Sequence, residues 1–326
     1  MEFDFLTAQA AIEKAIQQFN PGENPAELYA PIRYIMSLGG KRMRPMLMLL
    51  GKYAVANDWQ KEVQAAIAVE MFHSFTLLHD DIMDKAPLRR GQPTVHEKWN
   101  DNIALLSGDA MLVKTYDHLL EHTPPALLPT ILHRFGKTAV EVCEGQQMDM
   151  NFEQRKRVEM EEYITMIRLK TAVLLGFSLE MGALLGGASP ATVANLYEFG
   201  LQLGIGFQLK DDILDVYGEP DKFGKQVGGD IIANKKTFLL IRALELANPM
   251  QTRELDYWLS VDDFDPQNKV DAVKEIYDQL HIRQQAEEAM NSYFDKGFAA
   301  LAAANLAPER FETLRAFAQS VIEREK

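Results

Sequence analysis

Two nearly identical acidic pentapeptides are the residues in this sequence best suited to chemistry. Residues 80–84 (DDIMD) and 211–215 (DDILD) each follow an apolar segment. At about 100° per residue, the first and last aspartates of each motif lie on one helix face a turn apart, with the middle aspartate nearby. Two carboxylates about 4 Å apart repel by roughly 4 kcal/mol at an effective dielectric of 20. Each cluster therefore needs cations or protons.

The ligand types in these motifs favour magnesium. Carboxylate oxygens with no His or Cys close to both motifs are typical of Mg²⁺ shared with a phosphorylated substrate, whereas a calcium loop would need a glycine at its turn. For a single motif, the alternative is an acidic helix end that is exposed to solvent and binds no metal. This alternative explains poorly why the motif occurs twice. The predicted metal-site residues are Asp80, Asp81, Asp84, Asp211, Asp212 and Asp215.

Basic residues that could bind a phosphorylated substrate recur along the chain. Arginine suits bidentate contacts to diphosphate, and lysine acts as a mobile point charge. A solvated surface charge is the alternative for each, except for Lys170, whose apolar neighbours require it to pair or to reach a cavity. The basic candidates are Lys41, Arg44, Arg89, Arg90, Lys170, Lys225 and Lys235.

Charge and composition restrict the class of partner. The formal net charge of −13 disfavours nucleic acid, which is held by clustered Lys and Arg. A small phosphorylated substrate stays possible because a cation can invert the charge of an acidic site. The lone Cys143 excludes an internal disulfide and suits a reducing compartment, so we expect a cytoplasmic protein. The N-terminus is acidic where a signal peptide would be basic, and no apolar run reaches the roughly 18 residues of a membrane span.

The elements that position these residues are predicted to be helices. Apolar residues recur at i, i+3 and i+4, while two-residue alternation and glycine-rich strand-to-helix turns are essentially absent. The breaks between helices are too short for domain linkers, so we expect one all-α domain over residues 1–326. Val140–Met150, Tyr163–Leu185 and Ala194–Tyr217 are apolar on most sides and should be buried.

Taken in order, the motifs resemble those of the trans-prenyl diphosphate synthases, the polyprenyl synthetase family. The resemblance runs from about Leu28 to Thr237. It comprises GGKRMRP at 39–45, His73, the first acidic motif followed by RRGQPT at 89–94, Gly145-Gln146 with Asp149, Lys170-Thr171, Phe207-Gln208 with the second acidic motif, and GK at 224–225 through Asp230 and Lys235.

The resemblance implies an isoprenoid synthase-type helical bundle around a deep central cavity, usually homodimeric and Mg²⁺-dependent. It implies that isopentenyl diphosphate is bound by Lys41, Arg44, His73 and Arg90. The metal would be held by Asp80, Asp84 and Asp211, supported by Asp81, Asp212 and Asp215. The allylic diphosphate would be neutralised by Arg89, Lys170, Lys225 and Lys235, and the carbocation would be lined by Thr171 and Gln208.

His73 has an alternative interpretation, because a lone histidine on an apolar helix face is often a packed core residue. It lies two turns before Asp80 and within about 20° of it around the helix, which favours the substrate site.

Product length is expected to depend on Phe75 and Thr76, just before the first motif. The helical wheel alone favours Thr76, which lies directly under Asp80, whereas size and resemblance favour Phe75. An aromatic residue here, with no insertion in the motif, resembles synthases of geranylgeranyl diphosphate, with farnesyl diphosphate as the alternative. A terpene cyclase usually has a different second metal motif, and a non-catalytic partner subunit usually loses one aspartate motif.

Overall fold

The computed structural model describes residues 3–218 and 228–323. Helices dominate them, as the sequence predicts for an all-α protein. The helices are α1 (Phe5–Gln18), α2 (Ala26–Ser37), α3 (Met43–Tyr53), α4 (Val63–Met83), α5 (Val95–Lys98), α6 (Asp101–His122), α7 (Leu128–Glu153), α8 (Met160–Ile167), α9 (Val173–Leu185), α10 (Pro190–Tyr217), α11 (Gly229–Ile232), α12 (Phe238–Leu246), α13 (Pro249–Ser260), α14 (Pro266–Gln279), α15 (Ile282–Ala303) and α16 (Pro308–Glu323).

Three short elements interrupt this series. A 3₁₀ turn (Trp59–Glu62) precedes α4, and a π-helical turn (Arg168–Ala172) joins α8 to α9. Strands β1 (Leu88–Arg89) and β2 (Gln92–Pro93) pair antiparallel, with Leu88 opposite Pro93. Their small size explains why strand periodicity is not visible in the sequence.

The chain forms two compact units. The first comprises Met1–Gly136, Phe177–Tyr197 and Ala304–Thr313, and the second comprises Lys137–Gly176, Glu198–Ala303 and Leu314–Lys326. The first motif therefore belongs to one unit and the second motif to the other.

In the first unit, α4 is the central element. Its residues from Ala65 to Phe72 are buried, and it packs against α1, α3 and α6. The buried Arg42 fixes the start of α3, donating to Glu13 Oε1 at 2.9 Å, to Glu70 Oε1 at 2.6 Å and to the Met36 carbonyl at 2.7 Å. Because a buried guanidinium needs such partners, this ion-pair cluster ties α1, α2 and α4 to the segment that precedes α3.

In the second unit, an apolar cluster lies beneath the end of α10. Leu239, Leu255, Val273 and Tyr277 are among its members, and Val216 brings α10 into it. Burial of such side chains stabilises each by roughly 1.5–3 kcal/mol relative to exposure. The cluster thereby fixes the part of α10 that carries the second motif.

The expected burial of Val140–Met150 is wrong. Val140 is 58% exposed and Met150 is 36% exposed, whereas Val142 and Gln146 are buried. The helix buries one face, because glutamates and glutamine interleave with its apolar residues and keep the other face in solvent. Most of Tyr163–Leu185 and Ala194–Tyr217 is buried or partly buried, as predicted.

Within residues 3–218 and 228–323, no helix combines the length and the apolar character needed to cross a membrane.

Candidate active site

The middle aspartate of the first motif is held by protein. Asp81 is 1% exposed, and the Arg89 guanidinium donates to both of its carboxylate oxygens, with Nε–O distances of 3.0 and 2.8 Å and an Nη2–Oδ1 distance of 2.7 Å. Charge-assisted pairs of this fork geometry are among the strongest side-chain hydrogen bonds. The outer aspartates differ, since Asp80 is partly buried and Asp84, at the end of α4, is exposed.

The middle aspartate of the second motif is held in the same way by different donors. Asp212 is 4% exposed and accepts from the Tyr163 hydroxyl, from the Phe238 N–H at 3.2 Å and from Gln208 Nε2 at 3.4 Å. Burial, together with the nearby Asp230 carboxylate, raises the pKa of Asp212 to about 7. Both outer aspartates, Asp211 and Asp215, are partly exposed.

The two motifs thus share one arrangement despite lying in different units. In each, the middle carboxylate is buried and bonded to protein donors, while the outer pair lies one turn apart on a more exposed face. The Asp215 Oδ2 atom also accepts from the Asp230 N–H at 2.9 Å. The outer pairs provide the hard oxygen donors that a divalent metal requires, and the middle residues orient the turns that carry them.

Cations predicted from the sequence meet at α4 in the first unit. The Arg44 Nη1 atom lies 3.0 Å from His73 Nε2, so the arginine donates and the histidine accepts through an unprotonated nitrogen. Burial and the positive charge of Arg44 lower the pKa of His73 well below its usual value. Burial also lowers the pKa of Arg44 to about 10, and its Nε atom has no partner among the described residues.

The β-hairpin presents two further arginines. Arg90 (φ +54°) and Gly91 (φ +76°) form the two-residue loop, and positive φ at both positions is typical of a type I′ turn. Arg89, on β1, faces Asp81, whereas Arg90 donates through Nη1 to the Gly39 carbonyl. The hairpin therefore brings Arg90 to the glycine-rich segment before α3, where Lys41 is exposed.

Lys170 lies in the π-helical turn of the second unit. Its Nζ atom is 2.6 Å from Asp149 Oδ2, so of the two alternatives expected for a lysine among apolar residues, pairing or reaching a cavity, the structure shows pairing. A Cβ atom on Gly145 would lie 2.2 Å from the Lys170 backbone nitrogen, so only glycine allows α7 to approach this turn. π-Helical turns are frequent at functional sites, and this one also places Thr171 Oγ1 at 3.2 Å from Gln208 Oε1.

The remaining predicted cations differ in position. Lys235 is exposed, and its Nζ atom lies 3.8 Å from Asp230 Oδ1. Lys225 lies outside the described residues.

The two candidate residues for product length have different surroundings. Phe75 is 8% exposed, and its ring lies against the rings of Phe72 (centroids 5.6 Å apart) and His79 (4.8 Å). Thr76 is partly buried, and its hydroxyl donates to the His73 carbonyl at 2.8 Å. Only Phe75 therefore has the bulk and the aromatic packing that could hold a wall in place.

Two residues that position the site are not among those predicted from the sequence. Tyr163 holds Asp212, and nothing in the sequence distinguishes it from other core tyrosines. Glu70 forms an ion pair with Arg42. The sequence does indicate such a pair, because a single acid within the apolar run AAIAVEMF is buried only with a partner.

Comparison with known proteins finds similarity to one family over most of the chain. The polyprenyl synthetase family matches residues 25–280. The geranylgeranyl diphosphate synthase of Methanosarcina mazei is 42% identical over 236 residues, 72% of either chain. A crystal structure of a geranylgeranyl pyrophosphate synthase superimposes with a TM-score of 0.91 at 40% identity, covering 98% of both chains. The geranylgeranyl pyrophosphate synthetase of Pyrococcus horikoshii gives a TM-score of 0.90 at 31% identity, covering 98% of this chain and 96% of its own.

Proposed function

Because this chain belongs to the polyprenyl synthetase family and is therefore a prenyltransferase, we propose that it condenses isopentenyl diphosphate with allylic diphosphates to give short-chain prenyl diphosphates. The observation that carries the proposal is the repeated aspartate arrangement. Both motifs bury the middle carboxylate against protein donors and leave the outer pair more exposed. A non-catalytic subunit would have no reason to keep both.

The metal assignment follows from this arrangement. Enzymes of this family use a divalent metal, and Mg²⁺ fits the donors here, which are carboxylate oxygens. We assign the ligands to Asp80, Asp84 and Asp211, with Asp215 in support. Asp81 and Asp212 act as positioning residues, because their oxygens are already bonded to Arg89 and Tyr163. When bound, the metal supplies positive charge to the departing diphosphate.

Protein side chains do the rest of the work on the allylic substrate. Breaking its carbon–oxygen bond leaves negative charge on diphosphate, which fixed cations stabilise as it develops. Lys170, Lys225 and Lys235 are suited to stabilise this charge. Arg89 mainly orients Asp81. The Thr171 and Gln208 oxygens, within hydrogen-bond distance of one another, present dipoles to the allylic cation.

Isopentenyl diphosphate is assigned to the cations of the first unit. Arg44 has a donor without a protein partner among the described residues, which a diphosphate oxygen would satisfy. His73 orients Arg44, and Arg90 and Lys41 add charge from the hairpin turn and the glycine-rich segment. The double bond of this substrate attacks the allylic cation, and the released diphosphate accepts the final proton.

We assign geranylgeranyl diphosphate as the product, with farnesyl diphosphate as the alternative. The relatives described above are named for geranylgeranyl diphosphate, and Phe75 provides an aromatic wall five residues before Asp80. A growing chain that reaches this ring stops.

The active form is proposed to be a homodimer. Leu106, Val113 and Leu120 recur every seven residues on α6 and are 59%, 62% and 50% exposed. A stripe of apolar residues on one helix face indicates an interface. Val113→Asp should therefore give a monomer in light scattering, whereas Leu6→Asp, at an isolated exposed leucine on α1, should not. Equal masses for both variants would contradict an interface on α6.

Two further proposals concern the chain as a whole. The family match crosses both compact units, which supports treating them as one functional domain. Cys143 is the one cysteine of the sequence, so no internal disulfide can form, which supports a reducing compartment, the cytoplasm.

One incubation tests the proposed reaction. The protein is mixed with isopentenyl and dimethylallyl diphosphates and Mg²⁺, and the products are dephosphorylated and separated by chain length. We expect geranylgeraniol. Farnesol would favour the alternative product, a hydrocarbon or cyclic alcohol from the allylic substrate alone would indicate a cyclase, and no product would indicate a partner subunit.

A further inference from the structure

A cluster of metal-binding side chains lies at the end of α6, a helix that carries neither aspartate motif. His118, Glu121 and His122 each offer one ligand atom, and these atoms all lie within 4.8 Å of one another. Residues at i, i+3 and i+4 project from the same helix face. The two imidazole rings are 4.4 Å apart between centroids, and Glu121 Oε2 is 3.9 Å from His122 Nε2.

The buried member of the cluster is already oriented for binding. His118 is 8% exposed, and its Nε2 atom lies 2.8 Å from the Gln64 carbonyl on α4. A carbonyl only accepts, so Nε2 carries the proton and Nδ1 keeps its lone pair. Histidines that bind metals commonly donate their other ring N–H to a carbonyl or carboxylate, which fixes the ring.

A cavity of about 270 Å³ opens beside these side chains, which leaves room for an ion and its water ligands. Its polar lining includes Asn20 after α1, and Lys114 and Asp117 on α6. The Lys114 ammonium lies 3.6 Å from the Asp117 carboxylate, so the two charges offset each other within the cavity.

We propose that His118, Glu121 and His122 bind one divalent transition-metal ion of the zinc class. Two imidazoles with one carboxylate suit Zn²⁺ in a site completed by water, whereas Mg²⁺ prefers oxygen ligands. Gln64 precedes Asp80 by 16 residues on α4, a separation of about 24 Å at 1.5 Å per residue. The proposed site therefore lies away from the first aspartate motif.

The test compares zinc content at equilibrium. Full-length protein is stripped with chelator and dialysed against micromolar Zn²⁺ with millimolar Mg²⁺, which competes at the aspartate motifs, and bound zinc is measured by elemental analysis. Wild type should hold one zinc equivalent more than His118→Gln/His122→Gln. The exposed His133 on α7 provides the control, and His133→Gln should match wild type. Asp80→Asn should keep the extra equivalent while losing turnover.

A second variant guards against a folding defect. Glu121 is 72% exposed at its side chain, so Glu121→Gln leaves packing intact. It should weaken zinc binding by about 10- to 100-fold, the range that loss of even an outer-shell partner costs a metal site. Zinc should also raise the melting temperature of wild type but not of the double variant. Equal zinc content in wild type, the double variant and Glu121→Gln would overturn the proposal.

Discussion

Replacing Tyr163 with phenylalanine separates a positioning role in catalysis from simple core packing. The substitution keeps the buried ring and removes the hydroxyl that donates to Asp212. The two donors that remain, Phe238 N–H at 3.2 Å and Gln208 Nε2 at 3.4 Å, are at the long end of the hydrogen-bond range. Tyr163 therefore contributes most of the restraint on this carboxylate.

The size of the effect follows from the acceptor. Hydrogen bonds to charged groups contribute about 1.5–3 kcal/mol, so above the Asp212 pKa of about 7 the free energy of unfolding should fall by about that amount in Tyr163→Phe. If this hydrogen bond stabilises the transition state by a similar amount, its loss should lower turnover about 10- to 100-fold. The KM for isopentenyl diphosphate should change little, because its proposed ligands lie in the other unit.

The matched control is Tyr53→Phe. Tyr53 is 1% exposed, and its hydroxyl donates to Glu309 Oε1 at 3.2 Å in the first unit, where neither residue is part of an aspartate motif. Urea unfolding and steady-state kinetics are measured for both variants. Tyr53→Phe should lose stability with near-normal turnover. Should Tyr163→Phe behave identically, losing stability and keeping turnover, the positioning role is refuted.

Four further predictions address the other parts of the site. Asp80→Asn and Asp211→Asn should each lower turnover at saturating Mg²⁺ by at least about 100-fold, with little change in unfolding free energy, because they remove metal ligands rather than packing. Arg44→Gln should raise the KM for isopentenyl diphosphate more than that for the allylic substrate. His73 has a folded pKa below its unfolded value of about 6.5, so the unfolded state binds the extra proton and stability falls as pH drops below about 6.5; His73→Gln should lose less stability than wild type between pH 7 and 5. Phe75→Ala should cost about 3–5 kcal/mol of stability and lengthen the product.

Three of these predictions, those for the aspartates, Arg44 and Phe75, have a control in the same chain. Asp271 and Arg253 are polar residues on helices outside the proposed site, so Asp271→Asn and Arg253→Gln should leave the kinetics unchanged. Phe294→Ala truncates an equally buried ring in the second unit and should destabilise without changing product length. Normal turnover in either aspartate variant, equal KM changes for both substrates in Arg44→Gln, or an unchanged product in folded Phe75→Ala would contradict the corresponding assignment.

Sequence periodicity and residue type predicted most of the fold. The all-α class follows from repeats at i, i+3 and i+4, and the pairing of Lys170 follows from its apolar neighbours. The burial of Val140–Met150 was predicted incorrectly. Composition shows that a helix has apolar residues, but it does not show which of its faces pack against other helices. The β-hairpin was also invisible, because strands of two residues have no periodicity.

The site was predicted as a set of residue types, and its internal roles were not. The sequence shows six aspartates that look alike, whereas the structure distinguishes the two middle ones by their burial against Arg89 and Tyr163. Arg89 lies on a different element from Asp81, and Tyr163 lies far from Asp212 in the sequence. Residue spacing along one helix therefore could not predict these contacts. Positioning contacts of this kind depend on tertiary packing.

The most direct test of the account is to locate the metal. The protein is crystallised with Mn²⁺ in place of Mg²⁺ and an unreactive allylic thiodiphosphate, and anomalous scattering locates the ions. We predict peaks within about 2.1 Å of oxygens of Asp80, Asp84 and Asp211, with Asp81 still on Arg89 and Asp212 still on Tyr163. Peaks coordinated by Asp81 or Asp212, or no peak at either motif, would contradict it.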